Sequence, residues 1–125
     1  MIGRAEALFY HGELIRRFGG SDGVRDEGIL DASLNRPFAT FGGVDLFPSP
    51  EEKAAALLHG IITGHPFVDG NKRVAFLSLG LFLAINGYRL TADRVDAIET
   101  MLALAGGGLT EEELAGWIRR NCVRR

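Results

Sequence analysis

An all-α fold, a single compact bundle of about six helices, is what this sequence predicts, and three observations predict it. Apolar residues recur at helical spacing through most of the chain, side-chain helix caps alternate with glycine stops, and no stretch shows convincing strand-like alternation. At 125 residues the chain reads as one domain, residues 1–125, large enough to bury a core without staples.

Leu8, His11, Ile15 and Phe18 place a first amphipathic helix over residues 4–18, ended by Gly19-Gly20, with turn chemistry in Ser21-Asp22-Gly23. Asp26 is the N-cap of a second helix that turns Ile29, Leu30 and Leu34 inward. Pro37 closes it, and is expected to push Arg36 out of the helical region. Residues 37–48 form the longest irregular stretch, with a Gly42-Gly43 pair and with Phe38, Phe41 and Phe47 read as loop side chains pinned to the core. Ser49-Pro50-Glu51-Glu52 is a capping box with proline at the first helical position, and the buried helix after it runs to about Thr63, with Gly64 as its stop.

The next helix runs from Asn71 to Asn86-Gly87 and is apolar nearly all round, which places it at the centre of the bundle. Thr91 reads as the cap of a helix with Val95, Ile98, Leu102 and Ala105 as its buried stripe. Gly106-Gly107-Gly108 breaks the chain, and Thr110-Glu111-Glu112-Glu113 opens a last helix that docks through Leu114, Trp117 and Ile118.

The composition, 46% apolar and 24% charged, is that of an ordinary globular domain and excludes disorder. A formal net charge of −2 gives no global pull towards nucleic acid, and the arginines at 119, 120, 124 and 125 read as a solvated helix end. The single Cys122 allows no internal disulfide, which favours a reducing compartment. Met1 to Tyr10 lacks the apolar core of a signal peptide, and no apolar run approaches the ~20 residues that span a bilayer. The expectation is a soluble, cytoplasmic protein with no membrane partner.

One segment carries chemistry: His65-Pro66-Phe67-Val68-Asp69-Gly70-Asn71-Lys72-Arg73. Cations in the first turn of a helix have the wrong sign for its dipole, unless an anion sits over the open backbone N–H groups there. Phosphoryl or nucleotidyl transfer needs a base near the acceptor hydroxyl, a metal ligand and positive charge around the phosphates. His65 offers an imidazole, the side chain most often used for proton transfer, and suits the base. Asp69 suits Mg²⁺, a hard cation commonly held by one or two carboxylates and substrate phosphate oxygens. Gly70 lets backbone approach an anion, and Asn71, Lys72 and Arg73 offer an amide, a point charge and a fork. Behind them, His11 falls on the apolar stripe of the first helix, where packing or support of the site are its two readings, and Arg25 stands beside the Asp26 cap. His59, on a mostly apolar helix, reads as packed or partly exposed rather than catalytic.

HPFVDGNKR resembles the signature of the Fic superfamily, HPFx(D/E)GN(G/K)R, and Lys72 resembles the Doc (death on curing) branch, where typical Fic enzymes have glycine. His11 with Gly19-Gly20, Val24-Arg25-Asp26, Arg36-Pro37, Lys53-Ala54-Ala55 and Asn86-Gly87-Tyr88 extend the likeness over residues 8–90. The resemblance implies that His65 activates a target hydroxyl, that Asp69 positions Mg²⁺, and that Gly70, Asn71, Lys72 and Arg73 hold the phosphates of ATP. It makes Arg25 a support of the site and residues 37–48 a flap over it. Typical Fic enzymes move AMP to a protein hydroxyl. Doc-type toxins transfer the terminal phosphate of ATP to a threonine of elongation factor Tu and are restrained by a Phd-like antitoxin. Two departures stand out: Phe76 replaces a further arginine of typical Fic sequences, and Gly70 replaces the alanine frequent in Doc. No Ser or Thr has Glu four residues on, so the self-inhibitory helix motif of other Fic classes is absent. The implied activity is a protein kinase toxin. The rivals are an AMP (nucleotidyl) transferase using the same site and a catalytically silent domain that binds a partner, or operator DNA with its antitoxin.

Overall fold

Six α-helices and two small two-stranded antiparallel sheets make up the computed structural model, which describes residues 2–125. Helix α1 (Arg4–Phe18) begins where Glu6 Oε1 accepts the Gly3 N–H at 3.1 Å. Its stripe is rotated from the expected one: Ala7 and His11 are buried, whereas Leu8 and Phe18 are exposed. Helix α2 (Glu27–Asn35) is capped by Asp26, whose Oδ1 accepts from the Ile29 N–H at 3.0 Å, and it buries Leu30 and Leu34.

Arg36 is not pushed out of the helical region. It keeps φ −54° and ψ −39°, and Pro37 follows inside a 3-10 turn, Arg36–Phe38. The steric bias before proline is outweighed by tertiary contacts: the Arg36 guanidinium pairs with Glu111 and donates to the Ala56 carbonyl at 3.2 Å. The stretch expected to be irregular contains a hairpin, β1 (Thr40–Phe41) with β2 (Val44–Asp45), turning through Gly42 and Gly43, both at positive φ. Lys53 fastens it, donating to Pro37 O at 3.3 Å and Asp45 Oδ2 at 3.2 Å. Of the three phenylalanines expected in the core, Phe41 is 80% exposed at the hairpin. Phe38 tilts against Phe82 at 6.3 Å while staying partly exposed, and Phe47 is half-buried under the Arg36 guanidinium.

Helix α3 (Pro50–Gly64) is the most enclosed element. Ser49 caps it by accepting the Glu52 N–H at 3.1 Å, and Ala54 to Leu58, Ile61 and Ile62 are all buried. It packs against α2, α4 (Asn71–Ile85), α5 (Arg94–Ala105) and α6 (Glu111–Arg120). Helix α4 lies between α3 and α1 and buries Val74, Ala75, Ser78, Leu79, Phe82 and Leu83, but it leaves Phe76 and Ile85 exposed. Strand β3 (Tyr88–Leu90) pairs with β4 (Cys122–Arg124), a second pairing absent from the helical expectation.

Helix α5 is capped by Asp93, not Thr91, and its expected core stripe is its outer face: Val95, Ile98, Leu102 and Ala105 are exposed, while Ala97, Thr100, Met101 and Leu104 are buried. Trp117 Nε1 donates to Asp96 Oδ2 at 2.9 Å, which fixes the rotation of α5 against α6. From the exposed stripe, Ile98 and Leu102 join Leu14 and Phe18 of α1 and Phe76 and Leu77 of α4 in lining an apolar groove of about 630 Å³. No helix among the described residues is long and apolar enough to cross a membrane.

The α2–α3 crossing is close enough to be tested. A Cβ at Gly60 would lie 2.9 Å from Ser33 Oγ and 3.1 Å from Ser33 Cα, so the neighbouring backbone stands in its way. Gly60→Ala is expected to destabilise the fold by ~1–3 kcal/mol. At Gly80, mid-α4, a Cβ meets nothing within 4 Å, and Gly80→Ala is expected to stabilise by ~0.5–1 kcal/mol. Urea unfolding of the two variants checks the opposite signs.

Candidate active site

The nine-residue motif supplies the connection between α3 and α4, residues 65–70, and the first turn of α4, and the connection turns between two left-handed residues. His65, at φ 51° and ψ 60°, is the sole non-glycine at positive φ among the described residues; Gly70, at φ 78°, is the N-cap of α4. Gly64 was expected to stop α3, yet it is the last helical residue, and His65 takes the left-handed cap position itself. Gly64 is small for another reason: a Cβ there would lie 2.6 Å from Ile29 Cγ2 of α2. Pro66 and Phe67 are buried, whereas His65, Val68 and Asp69 are exposed.

His65 Nδ1 lies 3.3 Å from the Thr63 carbonyl. A carbonyl only accepts, so Nδ1 carries the proton in this contact and Nε2 keeps its lone pair on an exposed ring. That is the tautomer a base at Nε2 needs. Asp69 is oriented from two sides: its Oδ1 accepts the Gly70 N–H at 2.8 Å and its Oδ2 the Ser21 N–H at 3.3 Å. A Cβ at Gly20 would lie 2.6 Å from Asp69 Oδ2, so the loop after α1 approaches the carboxylate because it is glycine. His11, which is 1% exposed, stacks on Phe67 with centroids 4.0 Å apart, donates from Nε2 to the Asp69 carbonyl at 2.7 Å, and places Nδ1 3.4 Å from Asp22 Oδ1.

At the start of α4, no side chain caps the helix and its first turn holds no acidic residue. The N–H groups of Asn71, Lys72 and Arg73 precede the first intrahelical bond, Val74 N–H to Gly70 O at 3.0 Å. Lys72 and Arg73 are exposed, and neither pairs with a carboxylate among the described residues. Arg73 lies over the Phe18 ring, 5.1 Å from its centroid. Asn71 is used differently from the expected phosphate contact. Its side chain is buried and spent on Phe67, accepting that residue's N–H and donating to its carbonyl, each at 3.0 Å. What Asn71 can offer an anion is its backbone N–H.

Arg25 sits on the far side of His65. Its Nη2 donates to Gly64 O and its Nε to His65 O, both at 2.6 Å. His59 is partly exposed near Glu111, at 3.8 Å, remote from this group. No cluster of three or more His, Cys, Asp or Glu that could hold a metal ion by itself occurs among the described residues. Asp69 alone, exposed and with lone pairs left over, suits an ion that takes its remaining ligands from phosphate oxygens and water. The residues that motif reading missed are Gly20 and Ser21. The Gly19-Gly20 pair reads as a helix stop and as part of the family likeness, and nothing local in it or in Ser21 signals a contact with a carboxylate 48 residues after Ser21.

The Asn71 clamp generates a prediction. Asn71→Ala strands the N–H and the carbonyl of the buried Phe67, and it is expected to cost ~1–3 kcal/mol by thermal or urea unfolding. The site loop is expected to exchange its amides faster, before the helices do.

A model of the Fic/DOC family matches residues 2–83. A protein named Toxin Doc from Mycolicibacterium smegmatis is 50% identical over 86 residues, which span 68% of this chain and 66% of that one. A protein named Protein kinase doc from Escherichia phage P1 is 32% identical over 122 residues, 95% of this chain and 93% of that one. With the HPFVDGNKR connection folded between α3 and α4, the chain belongs to the Fic/DOC family.

Proposed function

We propose that this chain is a Doc-type toxin that transfers the terminal phosphate of ATP to a hydroxyl of a translation factor, a threonine of elongation factor Tu being the leading target. The observation that carries the reading is the pairing of an exposed imidazole, its Nδ1 tied to Thr63 O, with an uncapped α4 N-terminus bearing Lys72 and Arg73. The relative named Protein kinase doc supports phosphoryl rather than AMP transfer. The target hydroxyl gives its proton to His65 Nε2 as its oxygen attacks the terminal phosphorus. The bond from that phosphorus to the bridging oxygen breaks, and ADP leaves. Lys72, Arg73 and the open N–H groups of α4 hold the phosphates, and Gly70 supplies the left-handed backbone from which those N–H groups start. Mg²⁺, when held by Asp69 and phosphate oxygens, supplies neutralising charge.

An antitoxin of Phd-like type restrains the toxin in this reading. The apolar groove of α1, α4 and α5 suits one of its segments, an amphipathic helix with acidic residues facing Lys72, Arg73 and Arg94 at the rim. Ile98→Glu, at a 50% exposed groove position, is expected to weaken antitoxin binding roughly tenfold or more by calorimetry, with thermal stability little changed.

Intact-mass spectrometry of elongation factor Tu incubated with the protein, ATP and Mg²⁺ tests the reaction. The expected result is one added phosphate, reduced roughly 10²- to 10⁴-fold in rate by His65→Ala. Mass gain matching AMP would overturn the kinase reading. Lys72→Gly is expected to shift the product towards nucleotidyl transfer, since the lysine sets how the phosphates lie.

A further inference from the structure

His65 stands in an unfavourable backbone conformation. The left-handed region brings Cβ against the following carbonyl oxygen at roughly 1–2 kcal/mol, and the proline that follows further restricts the residue before it. Such a conformation persists only where the surroundings over-determine it. Here the surroundings are one dipeptide. Arg25 Nη2 donates to Gly64 O and Arg25 Nε to His65 O, at 2.6 Å each. The backbone N–H groups of Arg25 and Asp26 both donate to Pro66 O, at 2.7 and 3.1 Å. Three consecutive carbonyls, 64 to 66, therefore accept from Arg25 and Asp26. Next to them the Val68 N–H donates to Gly23 O at 3.0 Å and Val24 bridges Phe67, so the 23–26 segment lies along the turn as a template.

The arginine's chemistry fits this use. Arg25 is exposed, yet no carboxylate pairs with it among the described residues; its planar fork is spent on carbonyls. The last turn of α3 contains no basic residue of its own, so the charge that meets the negative end of this helix arrives from the segment before α2. Rotation of His65 out of the left-handed region would turn its carbonyl from Arg25 Nε and swing its imidazole away from Thr63 O together.

We propose that Arg25 is the positioning residue for His65, its guanidinium fork on the Gly64 and His65 carbonyls holding the imidazole in its working direction. The proposal rests on His65 being the base. Its bonds are solvent-exposed, so they do more for geometry than for global stability.

The test uses Arg25→Ala and Arg25→Lys in the full chain. Arg25→Ala is expected to lower kcat for phosphate transfer roughly 10- to 100-fold, with KM for ATP changed less than about twofold, because Lys72, Arg73 and the α4 N-terminus are untouched. Arg25→Lys keeps the charge and loses the fork, so it is expected to recover only part of the rate. A readout independent of activity accompanies the kinetics: the Cα and Cβ chemical shifts of His65 are expected to leave the left-handed pattern in Arg25→Ala while shifts across α5 and α6 stay in place. Wild-type kcat retained within twofold in Arg25→Ala, or unchanged His65 shifts, would overturn the proposal. So would a melting temperature that falls in step with kcat in both variants, the mark of a merely structural cap. Should the wild-type protein itself transfer no phosphate, the proposed reaction fails, while the His65 shifts still decide what Arg25 does.

Discussion

Two hydrogen bonds between the Asn71 side chain and the backbone of Phe67 hold the site together, and most of its geometry depends on them. They close the connection between two well-buried helices into a loop short enough to carry an exposed histidine and an exposed aspartate at its edges. Once closed, the loop seats the Phe67 ring in the core, and that ring is the surface on which His11 stacks. His11 in turn reaches the Asp69 carbonyl. A buried amide with both ends satisfied therefore fixes the backbone from which the carboxylate projects, without touching anything that reacts.

Electrostatics divides the site in two. The end of α3 presents carbonyls, which meet the Arg25 guanidinium; the start of α4 presents N–H groups, left open beside two cations. One helix end is neutralised by the protein and the other keeps its positive charge uncompensated. This asymmetry favours anion capture on the α4 side alone, where Lys72 and Arg73 lie.

Helix starts were legible in the sequence because caps are local chemistry. Asp26, Ser49 and Thr110 each accept from a backbone N–H three residues on, as their spacing required. The rotation of α5 was not legible: two apolar stripes at helical spacing compete there, and a contact from Trp117 on another helix chooses between them. Strands of two or three residues, such as Thr40–Phe41, are too short to show alternation. Arg36 kept its helical backbone through a long-range pairing with Glu111 that no local rule contains. At the site, a contiguous motif made His65, Asp69 and the two cations easy to single out. The use of Asn71 as a clamp, and the approach of Gly20 and Ser21 to Asp69, depend on tertiary distances and were invisible.

The groove of α1, α4 and α5 shares Lys72 and Arg73 with the N-terminus of α4. Two occupants of negative charge, one in the groove and one over the helix end, would draw on the same pair of charges, so the binding of either would alter the other's affinity. Thermodynamic reciprocity makes that coupling equal in both directions. On the proposed function, a restraining partner in the groove would loosen the hold on a phosphate ligand by the same factor as a phosphate ligand would loosen the hold on the partner. On that same proposed function, nucleotide concentration would set part of the balance between restraint and release, with no moving part required.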